Sequence, residues 1–366
     1  MTVAPPFEKG DGRGLISVTL PVARREDYLV KSNASPSNQS GGHSILRNRN
    51  LRAKSIAVPD PSPTLPSLSE SYEACRVLTR RTAHNFWFSF LTLPREQRRA
   101  MNALYAFNRI TDDLGDDESL PVDERREQLA EWRESVRAVL AVVPTDAALI
   151  LNPQRSTFDR YLPAIRDMVV RHRVPHEYLF AVIDGVELDL HPVEVATFED
   201  LEQYCYHVAG AVGLCCIHVW GFRDDPAVKQ LAIDCGLALQ LTNILRDLAE
   251  DADRGRVYLP REDLVRFGYS ADDLHRRVRD QRFRDLLRFE ADRAKTYYAS
   301  GERLFDYLEP PGKPILRAML DIYGGLLREI ERRDFDVFSQ RVSLPKWKKL
   351  WYAGRAMLKQ RLGRRW

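Results

Sequence analysis

Two aspartate-bearing stretches, far apart along the chain, constrain what it can fold into. The downstream one is Gln240–Pro260, Q-L-T-N-I-L-R-D-L-A-E-D-A-D-R-G-R-V-Y-L-P. At helical spacing Asn243, Asp247 and Asp251 fall at i, i+4 and i+8 and stack on one face. Leu241, Ile244, Leu245 and Leu248 make the flank apolar. The upstream stretch, L-Y-A-F-N-R-I-T-D-D-L-G-D-D, places Tyr105, Arg109, Asp112 and Asp116 at i, i+4, i+7 and i+11, again on one face. Ionised carboxylates one helical turn apart, about 6 Å per step, repel, so each face calls for cations. Oxygen ligands at this spacing suit Mg²⁺, which binds a few carboxylates and completes its shell with water and substrate phosphates. Arg246, Arg254 and Arg256 suit the anion that such an ion would carry. One such spacing alone is as well explained by a solvated acidic face; the pair reads as two walls of one metal–diphosphate site.

The rest of the chain fits a helical scaffold for these walls. No strand-like alternation is sustained and no internal repeat is visible, so an all-α, single-domain bundle of many helices is expected. The 366 residues are 44 % apolar, enough for a large core. Mean hydropathy is −0.39, and no run of 18 apolar residues predicts a transmembrane helix. A net charge of +3 is too small to argue for nucleic acid. The five cysteines make no C-x-x-C pair, which disfavours a zinc site and reads as small buried side chains in a reducing, cytoplasmic compartment.

Residues 1–67 are rich in Pro, Ser, Asn and Gly and read as a disordered extension. Their surplus of bases raises a transit peptide, against which stand the early acids Glu8 and Asp11. Residues 68–350 form the expected catalytic domain. Ser69 is placed as the cap of a first helix ending at Thr82, and Arg95–Asp112 as a long helix. Further helices are expected from Pro121 to Leu140, Phe158 to Arg171, Glu177 to Leu190, Phe198 to Trp220 and Pro314 to Arg333. Gln281–Tyr307 is highly charged and is placed on the outside. The acids of I-D-G-V-E-L-D (183–189) are read as surface groups on a helix, with a place at the rim of an active site as the alternative. Ala209, Gly210, Ala211 and Gly213 permit close helix approach or leave room for a long chain. Residues 351–366 are a basic, aromatic tail. From Arg341 to Trp366 there are nine bases, no acid and three tryptophans, which fits either a helix lying on a membrane surface or a solvated terminal helix.

N-I-L-R-D-L-A-E-D-A-D-R-G-R-V-Y-L-P and, upstream, Y-C-Y-H-V-A-G-A-V-G (Tyr204–Gly213) resemble the signatures of the squalene/phytoene synthases, which join two isoprenoid diphosphates head to head. The resemblance spans Tyr72–Lys349. It implies an isoprenoid-synthase bundle around a central cavity, with two or three Mg²⁺ held by Asp112, Asp116, Asn243, Asp247 and Asp251. It implies diphosphate contacts from Asn85, Arg109, Gln240, Arg246, Arg256, Tyr258, Arg341 and Lys349. Phe86, Tyr105, Tyr206 and Tyr323 are the implied catalytic rings, with Arg109 beside them. The implied substrate is farnesyl or geranylgeranyl diphosphate, condensed through a cyclopropyl diphosphate.

The signatures disagree about subfamily. Many relatives carry Ser-x-Ser-Phe where this chain has Ala83-His84-Asn85-Phe86, which resembles the bacterial hydroxysqualene synthase branch. That branch usually has Trp-Gln where this chain has Leu245-Arg246. The product therefore stays open among phytoene, dehydrosqualene, hydroxysqualene, presqualene diphosphate and squalene, the last requiring NADPH. Two other readings compete. A chain-elongating prenyltransferase or terpene cyclase would carry D-D-x-x-D or N-S-E signatures. A catalytically silent relative acting as an assembly or scaffold protein would be expected to lose aspartates that this chain keeps.

Overall fold

The computed structural model describes residues 66–83, 87–141, 158–191 and 195–363. Residues 1–65 lie outside these, as do Asn85 and Phe86. The first helix, α1 (Leu68–Thr82), is capped two residues earlier than the expected Ser69. Ser67 is the cap, its Oγ accepting from Glu70 N–H while the Glu70 carboxylate accepts from Ser67 N–H. The chain continues through α2 (Trp87–Phe90), α3 (Arg95–Gly115), α4 (Val122–Ala141), α5 (Leu162–His172) and α6 (His176–Leu188). Prolines 94 and 175 immediately precede α3 and α6, where the missing N–H costs nothing.

The expected helix 198–220 is two helices, α7 (Phe198–Cys205) and α8 (Ala211–Trp220), joined by a π turn at Tyr206–Gly210. Such turns insert one residue into the ladder and redirect the axis. The spine is α9 (Pro226–Asp253), opened by the Asp225 cap and Pro226. Then follow α10 (Arg261–Arg266), α11 (Ala271–His275), α12 (Gln281–Glu302), α13 (Gly312–Arg332) and α14 (Lys346–Arg361). No β-strand occurs among the described residues; an isolated bridge joins Phe222 and Leu308.

α9 is packed by α8, α12 and α13. Gly236 makes the closest approach possible: a Cβ there would lie 2.6 Å from the Ala209 carbonyl oxygen in the π turn. Gly213 does the same in reverse, facing the Ala232 carbonyl oxygen at 2.8 Å. α12 is not an outer helix. Its charges occupy one face, while Phe283, Leu286, Leu287, Ala291 and Ala294 are fully buried on the other. α14 crosses the boundary expected at 350/351 and packs on α13 through Tyr352, Ala353 and Ala356. All five cysteines are buried and unbridged.

Candidate active site

The two aspartate faces meet where α3 ends and α9 ends. Asp116 closes α3, its N–H donating to the Asp112 carbonyl at 2.9 Å. Beyond α9, Gly255 has φ +70°, a conformation that favours glycine. The chain turns there, and Arg256 N–H returns to the Asp251 carbonyl at 2.9 Å. Arg254 and Arg256 on either side both reach back to α3: Arg256 stands 3.9 Å from Asp116, and Arg254 3.8 Å from Glu118. Arg109, itself buried, pairs with Asp113 at 2.5 Å.

The acids divide into two electrostatic states. Burial pushes Asp112 well above the ordinary carboxylate range, and Asp116 pushes it further. Burial also raises Asp116, against the pull of Arg256 and Arg254. Asp251 is pushed up to about 7 by burial and by Asp247. Burial would raise Asp247 too, but Arg246 and Arg341 outweigh it and hold that carboxyl low. Arg246 Nε donates to Asp247 Oδ1 at 2.7 Å and Arg341 Nε to the same atom at 2.9 Å. Two arginines expected to clamp phosphate thus hold an acid expected to hold metal. Lys349, half-buried on α14, is lowered by burial and by the neighbouring Arg246 and Lys346 charges. The three cations together form an anion-seeking corner.

From this polar mouth a cavity of about 860 Å³, its opening included, runs between α6, α8, α9 and α13. Its walls are apolar, among them Val186, Ala209, Ile217, Leu239 and Met319, and Trp220 lies at the end of α8. Asn108, Asp112, Gln240 and Asn243 line it at the mouth. There, Asn108 Oδ1, Asp112 Oδ2 and Asn243 Oδ1 are buried without a hydrogen-bond partner among the described residues. Buried oxygens without donors are costly, and amide and carboxylate oxygens are the ligands a hard divalent cation takes, so this donor set fits Mg²⁺. Among the described residues no three acidic, His or Cys side chains stand close enough to share one ion. An ion here would take one or two carboxylates, its shell completed by water and substrate phosphate.

The expected aromatic residues divide. Tyr323 lines the cavity beside Asn243, and burial pushes its hydroxyl up to about 12. Tyr105 is buried edge-on to Phe90 at 6.4 Å and is likewise pushed to about 12. Tyr206 is not among the cavity's lining residues; it sits in the π turn, partly exposed, edge-on to His207. Tyr258 stacks on Tyr204 with ring centres 5.4 Å apart.

One acid was misplaced by the sequence reading. Asp184 and Glu187 do face outward, pairing with Arg133 at 2.6 and 2.9 Å. Asp189, two residues on, caps α6 and is buried within electrostatic reach of Arg256, Asp116, Asp112 and Asp251. The signal lay in helical phase: a step of two residues turns about 200°, to the opposite side of the helix.

Comparison with known proteins identifies the family. Residues 79–348 match the squalene/phytoene synthase family. The chain is similar to a 15-cis-phytoene synthase of Synechococcus elongatus, 36 % identical over 82 % of this chain and 96 % of that one. A 15-cis-phytoene synthase of Synechocystis is 37 % identical over 83 % and 90 %. Among solved structures, a squalene synthase from Alicyclobacillus acidocaldarius superposes with TM-score 0.65, 28 % identity and coverage of 74 % and 97 %. A ligand-bound dehydrosqualene synthase gives 0.67 at 24 % identity, covering 81 % and 98 %, and shares the fold. The chain belongs to the squalene/phytoene synthase family of prenyltransferases.

Proposed function

We propose that the protein condenses two geranylgeranyl diphosphates head to head, Mg²⁺-dependently and through a cyclopropyl diphosphate, to phytoene. The observation that carries the reaction is the meeting of the α3 and α9 acids at the mouth of an apolar cavity. The choice of the C20 substrate is supported by the names of the cyanobacterial relatives.

Bound between Asp112, Asp116, Asn243, Asp247 and Asp251, Mg²⁺ supplies the Lewis acidity that an allylic diphosphate needs to ionise. Arg109, Arg256, Arg341 and Lys349 orient the diphosphate and neutralise charge on its oxygens as the carbon–oxygen bond breaks. Arg246, fixed against Asp247, holds that carboxylate in place. The apolar walls keep water from the cation. Tyr323 presents its ring there, worth about 1–2 kcal/mol when desolvated; Tyr105 is buried against Phe90 and does not line the cavity. Because substrate and product are lipids, we also propose that the protein works at a membrane surface, which it contacts through α14.

Purified protein incubated with Mg²⁺ and either farnesyl or geranylgeranyl diphosphate, with and without NADPH, tests the reaction. Phytoene from the C20 substrate, abolished by EDTA and by Asp112→Asn, is expected. A C30 product alone would overturn the chain-length reading, and an NADPH-dependent one would identify squalene. No product from folded protein would favour the silent-relative reading.

A further inference from the structure

We propose that Asp189 supplies a further carboxylate to the divalent-cation site, delivered by α6 as a third wall beside α3 and α9. Asp189 is 6 % exposed, and both of its carboxylate oxygens are shut off from solvent without a hydrogen-bond partner among the described residues. Three further carboxylates, Asp112, Asp116 and Asp251, lie within electrostatic reach, as do the hydroxyls of Tyr204 and Tyr258. Arg256 also lies within reach, but it serves Asp116 and Asp251 as well, and its contact to Asp116 is a loose 3.9 Å.

A buried carboxylate held for structure alone ordinarily accepts two or more hydrogen bonds. In the same protein Asp321 shows the difference. It is equally buried, yet it pairs with Arg317 at 2.8 Å and Arg355 at 2.6 Å. Asp189 has the burial without the donors, and three other carboxylates lie within its electrostatic reach. That arrangement is unfavourable in the metal-free protein and becomes favourable when cations enter between the walls. A fifth acid also matches the load: two or three divalent ions accompanying a diphosphate carry more positive charge than the diphosphate neutralises, and the surplus falls to the protein's carboxylates.

The proposal rests on the cation-dependent reading above, and the test separates the two. Melting temperature is followed for wild-type protein and Asp189→Asn, first in EDTA, then with inorganic pyrophosphate and rising Mg²⁺. The amide keeps the shape and removes the charge. In EDTA the variant is expected to melt higher than wild type, because repulsion within the cluster is relieved. With pyrophosphate, the Mg²⁺ midpoint of its stabilisation is expected to move up by about tenfold or more, the scale for groups that support a metal site. A variant that melts lower in EDTA or fails to fold would make Asp189 a structural counter-ion to Arg256 and overturn the proposal. So would an unchanged Mg²⁺ midpoint. A wild-type protein that shows no Mg²⁺-dependent stabilisation would instead overturn the function itself.

Discussion

Arg341 donates its Nε hydrogen to Asp247 Oδ1 at 2.9 Å, tying the segment before α14 to the first of the two acids on the α9 face. Arg246 holds the same carboxylate from beside it. Arg246 grips both oxygens of that carboxylate, whereas Arg341 reaches a single one and is the arginine better matched to a phosphate. Under the proposed function an incoming diphosphate would draw Arg341 away, leaving Asp247 held in place by Arg246 and open toward the cations. The proposed anion and metal sites would thereby be coupled through one carboxylate.

Arg341→Ala is accordingly expected to lower kcat/KM for the prenyl diphosphate by about 10- to 100-fold, since a hydrogen bond to a charged group is worth about 1.5–3 kcal/mol. The loss should fall mainly on KM, with Arg341→Lys recovering part of it. Steady-state kinetics decide: an unaltered KM would remove Arg341 from the diphosphate site.

The close approach of α9 to the π turn makes a stability prediction. Any side chain at position 236 must displace backbone, because a Cβ would lie 2.6 Å from Ala209 O and 2.8 Å from Gly210 N. Gly236→Ala is expected to cost about 1–3 kcal/mol, the range for overpacking a rigid core. Its denaturation midpoint should fall without a change in slope. A wild-type midpoint would mean that the π turn gives way freely.

Much of the fold was legible because its strongest signals are local. Proline and the acid–serine or acid–threonine boxes place the starts of α1, α3, α6 and α7 to within a turn. The aspartate faces on α3 and α9 were legible as faces. What local pattern could not give is which face turns inward. α12 looked like an outer helix because charged residues dominate its count, but Phe283, Leu286 and Leu287 take the inner stripe. Asp189 looked like one more surface acid because its neighbours Asp184 and Glu187 are. The π turn at Tyr206 leaves no trace in composition or spacing: a one-residue insertion changes neither, yet re-aims every side chain after it. The partners of Arg246 and Arg341 depend on contacts between distant segments, which spacing does not encode.

Glu290 gives a pH-dependent prediction away from the site. It is 2 % exposed on the inner face of α12, and both its oxygens accept from Arg293 Nη1 at 2.9 Å. The same arginine also serves Asp263, at 2.7 Å. Burial pushes Glu290 up from 4.5 to about 7, against the pull of Arg293 and with Asp263 adding to the rise. Between those values the folded protein holds a proton that the unfolded chain has released. Its contribution to stability is thus complete below about pH 4.5 and is lost as pH rises through 7, by up to ~3 kcal/mol. Glu290→Gln removes this titration. The variant's melting temperature relative to wild type is expected to climb between pH 5.5 and pH 8. A flat difference would mean that Arg293 fully compensates the charge.

The outward face of α14 carries the last prediction. Taking 100° per residue, Tyr352, Ala353 and Ala356 point toward α13, and Trp347, Leu350, Trp351, Leu358 and Leu362 fall on the opposite side. All five are exposed, Trp347 by 68 % and Leu358 by 56 %. Lys348, Arg355 and Lys359 share one flank of this stripe, and no acid lies on the helix. An apolar stripe with a basic flank suits the interface of an anionic bilayer, where the side chains gain roughly 1–2 kcal/mol each on burial and nearby bases add about 1 kcal/mol each. No described helix is long and apolar enough to cross a membrane, so the contact would be peripheral. Trp347→Ala with Leu358→Ala is expected to weaken binding to phosphatidylserine-containing vesicles at least tenfold while leaving turnover in detergent unchanged. Raised salt should weaken wild-type binding, because the basic flank acts through screened charge. Equal sedimentation of wild-type and variant protein with those vesicles would exclude α14 as the contact. Binding that is insensitive to salt and to phosphatidylserine would leave the tryptophans, rather than the lysines and arginines, holding the protein there.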